Sequence, residues 1–223
     1  MSEETLQPLD APTLDAPGLL VMDVDSTLID EEVIDLLGDQ AGVGAQVAAV
    51  TARAMAGELD FAQALRERVG LLAGLPESVF DRVRRSAHFT RGALELIDAL
   101  HRHGWKVGVV SGGFHEVVDG LAAEAGIDHR LANRLEVADG RLTGRVSGPI
   151  VTRVMKRDAL LAWARADGVP MAQTVALGDG ANDIPMILEA GLGVAFCAKP
   201  AVRRAAPHAI DRRDLTLVLD LLR

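Results

Sequence analysis

The stretch that decides the fold is Gly18-Leu-Leu-Val-Met-Asp-Val-Asp-Ser-Thr27, a short apolar run that ends in two acidic residues. The run follows a proline and is too short for a helix, so we interpret it as a buried β-strand. Asp23 and Asp25 are two positions apart, and such residues point to the same face of a strand. Two carboxylates that leave a buried strand together are costly unless a cation lies between them. The alternative is an Asp-Ser turn that only ends the strand.

Composition restricts the classes of partner. The chain has 223 residues, of which 49% are hydrophobic and 3% aromatic, so aliphatic side chains must fill a sizeable core. The formal net charge is −9, and no basic stripe is visible, which argues against a nucleic-acid partner. An anionic substrate would therefore have to be captured by local positive charge and a metal ion.

The N-terminal residues and the single cysteine favour a soluble, cytoplasmic protein. Cys197 cannot form an internal disulfide, which fits a reducing compartment, and we interpret it as a small buried hydrophobic residue. Residues 1–17 are acidic and proline-rich, unlike a signal peptide, and we expect a loose arm there. No apolar run approaches membrane-spanning length, so no membrane partner is expected. Association into a homodimer is left open.

A helical insertion follows the first strand. Apolar residues recur at helical spacing from Asp30 to about Ala87, glycines interrupt them, and no strand pattern lies between. We predict a helical-bundle cap at 31–87. The core domain would then comprise 18–30 and 88–223.

After the insertion, strand and helix patterns alternate, which is typical of an α/β fold with a Rossmann-like parallel sheet and helices on both faces. Period-two patterns on both sides of Asp139-Gly140 predict a small β-hairpin within 135–146. The further predicted strands are 105–110, 174–177 and 192–196. The predicted helices of this part are 92–103, 114–125, 155–166 and 183–190.

Polar groups follow several of the predicted strands. Ser111-Gly-Gly-Phe114 follows the second strand, Gly178-Asp-Gly-Ala-Asn-Asp183 follows a later one, and Lys156 lies at a helix start. In such folds ligands bind beyond the carboxyl ends of the strands. These segments offer groups that are suited to binding phosphate: a hydroxyl, glycines that let the backbone approach closely, a free helix N-terminus and a lysine. Each motif alone has an ordinary explanation, as a loop, a solvated lysine or a glycine-rich turn.

The aspartates of these motifs are suited to a metal and to covalent catalysis. Asp23, Asp25 and Asp179 could offer hard oxygen ligands, and few carboxylates with water and phosphate oxygens are typical of Mg²⁺. A carboxylate close to a metal can attack phosphorus, and a second one can act as acid and base. For the second role we expect the pKa of Asp25 to be raised by burial and by the charge of Asp23.

These four motifs resemble those of the haloacid dehalogenase superfamily of phosphohydrolases. They are Asp23-Val-Asp-Ser-Thr27, Ser111-Gly-Gly-Phe114, Lys156 and Gly178-Asp-Gly-Ala-Asn-Asp183. Three features resemble in particular the branch of that superfamily that acts on O-phosphoserine: Ser26, Ser111-Gly-Gly-Phe114 and Ala132-Asn-Arg-Leu135. The resemblance implies a core of that family with an inserted cap. It also implies Mg²⁺-dependent hydrolysis of O-phospho-L-serine through an aspartyl-phosphate, the last step of serine biosynthesis.

The resemblance also implies roles for the acidic residues. Asp23 would be the nucleophile and a metal ligand. Asp25 would be the general acid and base and offer its backbone carbonyl to the metal. Asp179 would complete the metal site. Asp183 would contact the metal ligands without binding the metal itself.

The remaining roles implied by the resemblance concern the substrate. Ser111, Gly112 and Lys156 would hold the phosphate, and Asn182 would lie at the phosphate or substrate edge. In the cap, four positions match substrate-binding positions of that branch: Glu32 for the amino group, Arg68 for the carboxylate, and Met55 and Phe61 for an apolar wall. A bidentate guanidinium suits a carboxylate. Met55 and Phe61 could equally be core residues.

Two other functions remain open at this point. One is an enzyme of the same architecture that acts on another small phosphomonoester or transfers the phosphoryl group. The other is a catalytically silent protein that binds phosphorylated metabolites.

Overall fold

The computed structural model describes residues 12–222, and these form a seven-stranded, mostly parallel sheet with helices on both faces, which confirms the predicted fold class. The strand order is β4-β3-β2-β1-β5-β6-β7, and only β3 and β4 pair antiparallel. The strands are β1 (Leu19–Met22), β2 (Lys106–Phe114), β3 (His129–Ala138), β4 (Arg141–Ser147), β5 (Thr174–Gly178), β6 (Leu192–Phe196) and β7 (His208–Ile210).

Nine α-helices of six residues or more lie in the part of the chain that the structure describes. They are α1 (Val33–Gln40), α2 (Gly44–Met55), α3 (Phe61–Gly70), α4 (Val79–Ser86), α5 (Ala93–Arg102), α6 (His115–Ala125), α7 (Arg153–Ala166), α8 (Ile184–Glu189) and α9 (Pro200–Ala205). The first four lie between β1 and β2 in the chain, as the predicted cap requires. An irregular turn at Val24–Leu28 connects β1 to them.

β1 lies at the centre of the sheet, between β2 and β5. Its four residues are fully buried because both faces of the sheet are covered. Leu20 and Met22 belong to the core cluster that includes α5 and α6, whereas Leu19 and Val21 belong to the cluster on the other face, with α7. Burial on both faces explains why the sequence of this strand is a continuous apolar run without alternation.

The turn chemistry of the sequence is confirmed at the hairpin. Asp139 and Gly140 have φ angles of 50° and 69°, the left-handed conformation that a tight turn between antiparallel strands needs. Gly126, predicted as a helix stop, also has a positive φ, 73°, directly after α6.

Several element boundaries differ from the prediction. β2 continues to Phe114 and therefore contains the motif that was placed beyond its end. β3 begins at His129, before the alternating pattern starts, because its first half is an inner strand paired with β2. α4 begins at Val79, since Pro76 forms a β-bridge with Arg141 instead of opening the helix. The short elements α9 and β7 were not predicted.

The four-helix segment is attached to the rest of the protein along one side. Its two connections to the core run antiparallel to each other, with a bridge between Ile29 and Phe89. On the same side the hairpin of β3 and β4 is hydrogen-bonded to the segment between α3 and α4: Leu142 exchanges backbone hydrogen bonds of 2.8 Å with Gly74 and Leu75. These contacts hold the α4 side of the segment to the sheet.

The predicted loose arm at 1–17 lies for the most part outside the described residues. Its last part, 12–17, contacts the core, because Gln173 accepts from the backbone N–H of Thr13 and donates to the carbonyls of Thr13 and Ala16. No helix within residues 12–222 is both long and apolar enough to cross a membrane.

Candidate active site

Three carboxylates converge at the carboxyl ends of β1 and β5. Asp23 follows β1, and Asp179 and Asp183 belong to the loop after β5. One oxygen from each lies within 4.8 Å of the others, and all three residues are buried. Gly178 permits this arrangement, because a Cβ at that position would lie 2.4 Å from the side chain of Asp183. The adjacency of β1 and β5 therefore joins two motifs that are about 150 positions apart in the sequence.

Lys156 is the cation closest to this cluster. Its Nζ lies 2.7 Å from Asp23 Oδ2 and 2.7 Å from Asp183 Oδ1, and its side chain is 1% exposed. The alternative of a solvated helix residue is therefore wrong. Burial alone would lower the pKa of Lys156, but Asp23 and then Asp183 outweigh it and raise the pKa, so the lysine stays charged.

The donor set fits a hard divalent cation. One lysine is shared by two buried carboxylates and does not balance their charge. Burial, followed by the charge of Asp183, raises the pKa of Asp23 well above its usual value. Burial also raises the pKa of Asp179. Oxygen ligands from several carboxylates are those that Mg²⁺ prefers, and a bound cation would offset this cost.

Asp25 lies beside the cluster, in the irregular turn after β1, and its side chain reaches the N-terminus of α1. Its Oδ1 accepts a hydrogen bond of 2.9 Å from the backbone N–H of Val33, and Ser111 Oγ lies 3.5 Å from its Oδ2. Burial raises the pKa of Asp25 to about 7, as predicted. The neighbouring carboxylate that contributes most is Glu32, whereas we had expected Asp23. A carboxyl group with this pKa can both donate and accept a proton near neutral pH.

The end of β2, which we expect to hold phosphate, is closely packed around Ser111, and this residue is fully buried. Ser111 Oγ accepts a hydrogen bond of 2.7 Å from the backbone N–H of Gly113. A Cβ on Gly113 would lie 2.9 Å from that hydroxyl oxygen and 3.1 Å from Asp25 Oδ2. Only glycine therefore allows the backbone to pass between the two polar side chains.

Asn133 is a supporting residue that was not predicted. It is fully buried, its Nδ2 donates to the carbonyl of Gly112 at 2.7 Å, and its Oδ1 accepts from the N–H of Val151 at 2.7 Å. Asn133 thus holds the Gly112 peptide in position by connecting it to Val151. The sequence contained a signal, since Ala132-Asn-Arg-Leu135 was part of the resemblance, but no role could be assigned without knowing that β3 pairs with β2.

A cavity of about 320 Å³ opens above these groups, between the four-helix segment and the ends of the strands. Asp23, Asp25 and Asp179 form its floor, and Glu32 and Arg68 line it from the cap side. Glu32 Oε1 accepts a hydrogen bond of 2.8 Å from Ser26 Oγ, and burial raises its pKa. Arg68 is half-buried, and its Nη1 lies 3.5 Å from Thr51 Oγ1.

Met55 and Phe61 line the same cavity and are not core residues, because they are 80% and 43% exposed. Phe61 is held at the start of α3, where Asp60 and Gln63 form reciprocal hydrogen bonds with each other's backbone N–H groups. Its ring lies 3.4 Å from the position that a Cβ on Gly112 would occupy. Asn182 also lines the cavity. Six of the predicted substrate residues thus line one cavity: Glu32, Met55, Phe61, Arg68, Gly112 and Asn182. Ser111 and Lys156 are buried and are not among its lining residues.

We expect Lys156→Met to destabilise the protein by about 3–5 kcal/mol, since it leaves two buried carboxylates without their cation. Urea unfolding in a buffer with chelator measures this change, because no divalent cation can then replace the lysine. Lys106→Met is the matched control. Lys106 pairs with Asp128 at 2.7 Å, but its side chain is half exposed, so its replacement should cost much less. Equal losses for the two variants would contradict the assigned role of the buried pair.

Comparisons with known proteins show which sequences and folds this chain is similar to. The family model described as haloacid dehalogenase-like hydrolase matches residues 20–188. A phosphoserine phosphatase of Streptococcus thermophilus is 62% identical over 205 residues, which cover 92% of this chain and 95% of that protein. A phosphoserine phosphatase of Lactococcus lactis is 55% identical, with 93% of this chain and 96% of that protein covered.

Solved structures extend the similarity to the fold. One is a phospho-aspartyl intermediate analogue of a phosphoserine phosphatase, with a TM-score of 0.87, 42% identity, and coverage of 93% of this chain and 100% of that one. Another is a substrate-bound phosphoserine phosphatase complex with the same TM-score and identity, covering 93% of this chain and 99% of that one. The matched motifs and the extent of these similarities lead to one conclusion: the chain belongs to the family of haloacid dehalogenase-like hydrolases.

Proposed function

We propose that this protein is a phosphatase that hydrolyses O-phospho-L-serine to L-serine and phosphate through an aspartyl-phosphate. The observation that carries the proposal is that Asp23, Asp25 and Lys156 meet under a cavity whose other wall carries Glu32 and Arg68. Relatives at 62% and 55% identity are phosphoserine phosphatases, which supports the substrate. The reaction would be the last step of serine biosynthesis.

In the first half of the proposed reaction, a carboxylate oxygen of Asp23 attacks phosphorus, and the bond between phosphorus and the serine oxygen breaks. Asp25 gives its proton to the departing oxygen. Ser111, the Gly112 backbone and Lys156 hold the phosphate oxygens as they change position, and Asn182 lies at the edge of the phosphate.

In the second half, Asp25 takes a proton from a water molecule, whose oxygen attacks phosphorus and displaces the Asp23 carboxylate. The cap would exclude other water during both steps. Asp23, the backbone carbonyl of Asp25 and Asp179 would hold Mg²⁺, with Asp183 as a supporting partner. When bound, the ion would stabilise negative charge on the phosphate oxygens.

Substrate selection is assigned to the cap. Glu32 offers a carboxylate to the amino group of the substrate, and Arg68 offers its guanidinium to the carboxylate. These two opposite charges of the protein discriminate phosphorylated amino acids from simple phosphate esters. An ester without an amino group and a carboxylate leaves Glu32 and Arg68 unpaired. Met55 and Phe61 would form the apolar wall beside the substrate. A cytoplasmic location and assembly into a homodimer stay predictions.

The decisive measurement is phosphate release from O-phosphoserine with MgCl₂ and with excess chelator. We expect turnover that is lost on chelation and restored by added Mg²⁺. A panel of other phosphomonoesters tests specificity within the family. Faster turnover of another ester would reassign the substrate, and no release from any ester would favour the binding protein over the enzyme.

A further inference from the structure

A second, larger cavity of about 980 Å³ continues outward from the first one, and we call it the outer cavity. The two share several lining residues, including Met55, Phe61 and Asn182, so the outer cavity leads to the site where the substrate is proposed to bind. Its walls are α2 and α3 on the cap side and residues 148–153 on the core side.

The two cavities differ in the sign of their charge. The residues that line the inner cavity include five acidic and two basic side chains. Four basic side chains and one acidic side chain line the outer cavity. The bases are Arg66, Arg68, Arg153 and Lys199, and the acid is Asp60. This concentration of positive charge is notable in a chain whose formal net charge is −9.

Two of these bases have no electrostatic partner within the described chain. Arg66 and Arg153 are exposed, and neither forms an ion pair with a carboxylate of residues 12–222. Arg66 is on α3, in the cap, whereas Arg153 is the first residue of α7, in the core, so they approach the outer cavity from opposite walls. Within residues 12–222, neither side chain forms a hydrogen bond or an ion pair that would explain its charge.

Lys199 lies where the two cavities meet. It lines both, and its Nζ is 3.7 Å from Asp179 Oδ2. Its backbone N–H donates to the carbonyl of Asp179 at 3.1 Å, which holds it next to the loop after β5. A cation at this place continues the positive charge of the outer cavity up to the edge of the acidic one.

We propose that the outer cavity is an anion-binding vestibule, in which Arg66 and Arg153 capture the phosphate dianion of the substrate before it reaches the inner cavity. The proposal rests on the proposed function for the identity of the substrate. A negatively charged protein repels anions at long range, and a local cluster of cations offsets this repulsion and raises the rate of productive encounter. Such attraction is screened by salt, with a Debye length of about 10 Å at 0.1 M.

The test is the double variant Arg66→Gln/Arg153→Gln, assayed with O-phosphoserine at a low ionic strength of about 0.1 M and at a high one of about 0.5 M. We expect kcat/KM to fall on the order of tenfold at low salt. The deficit should nearly disappear at about 0.5 M salt, where the Debye length is only a few ångströms. The turnover number at saturation should stay unchanged, because neither arginine reaches the reacting atoms in the proposed reaction.

The matched control is Arg85→Gln/Arg165→Gln, which also removes one positive charge from the cap and one from the core. Arg85 and Arg165 are exposed and line neither cavity. Arg165 lies twelve residues beyond Arg153 on α7, about 18 Å along the helix axis, which exceeds the screening length at 0.1 M. The control should therefore keep the kcat/KM of the parent.

Three results would overturn the proposal: an equal loss in the control, a loss that does not depend on salt, or a fall in kcat of the same size. Equilibrium binding of inorganic phosphate to the same variants separates this proposal from the proposed function. If the parent releases no phosphate from O-phosphoserine, the function is wrong, and weaker phosphate binding by Arg66→Gln/Arg153→Gln at low salt still supports the vestibule. Unchanged phosphate binding would count against it.

Discussion

Asp23→Asn is expected to reduce phosphate release from O-phosphoserine by a factor of about 10⁴ or more, since it removes the proposed nucleophile. The amide has nearly the same shape as the carboxylate but cannot form the acyl phosphate. The variant should also fail to incorporate phosphate covalently, which mass spectrometry of acid-quenched protein measures. Turnover within tenfold of the parent would exclude Asp23 as the attacking group.

The fold should survive this replacement. Asp23 is 5% exposed, and burial raises its pKa, so a neutral side chain removes an unfavourable buried charge. Lys156 keeps Asp183 as its partner at 2.7 Å. Circular dichroism and the thermal unfolding midpoint should therefore match the parent. Asp98→Asn, on the exposed face of α5, is the matched replacement that should keep full activity.

Arg68→Ala is expected to raise the KM for O-phosphoserine by about 10- to 100-fold, the cost of one charge-assisted hydrogen-bonded pair. The KM for an aryl phosphate without a carboxylate should change little. Arg68→Lys should recover only part of the loss, because an ammonium group cannot bind a carboxylate in the bidentate manner of a guanidinium. Steady-state kinetics with both substrates measures the difference between the two esters.

Arg85→Ala, on the neighbouring cap helix α4, controls for loss of charge from the cap. It does not line the cavity and should leave both KM values unchanged. Equal increases for the two substrates in Arg68→Ala would remove Arg68 from recognition of the serine part. An increase confined to the aryl phosphate would contradict the assigned orientation of the substrate.

The secondary-structure elements that are determined by their own residues could be predicted from the sequence. The apolar run of β1 and the turn at Asp139-Gly140 each depend on the residues themselves, and the structure contains both. Strand adjacency was inferred only in general terms, from the alternation of strands and helices. That inference was sufficient to expect the polar motifs at one edge of the sheet, because parallel strands have their carboxyl ends on the same side.

Other features of the site depend on contacts between distant segments and could not be predicted. The burial of Lys156 requires that α7 packs behind β1, so that one ammonium group reaches Asp23 and Asp183. Asn133 acquires its role only because β3 pairs with β2. Arg66 and Arg153 are more than eighty residues apart in sequence, and only the fold places them on facing walls.

The attachment of the four-helix segment along its α4 side has a consequence for how substrate is admitted. Gly74 and Leu75 are hydrogen-bonded to Leu142 on that side, so we expect any opening movement of the segment to be smallest there and largest at the opposite margin. The opposite margin of the four-helix segment is formed by the end of α2 and the start of α3, where the side chains of Met55 and Phe61 are exposed to solvent. We therefore expect O-phosphoserine to enter beneath this margin and the hairpin of β3 and β4 to keep its position.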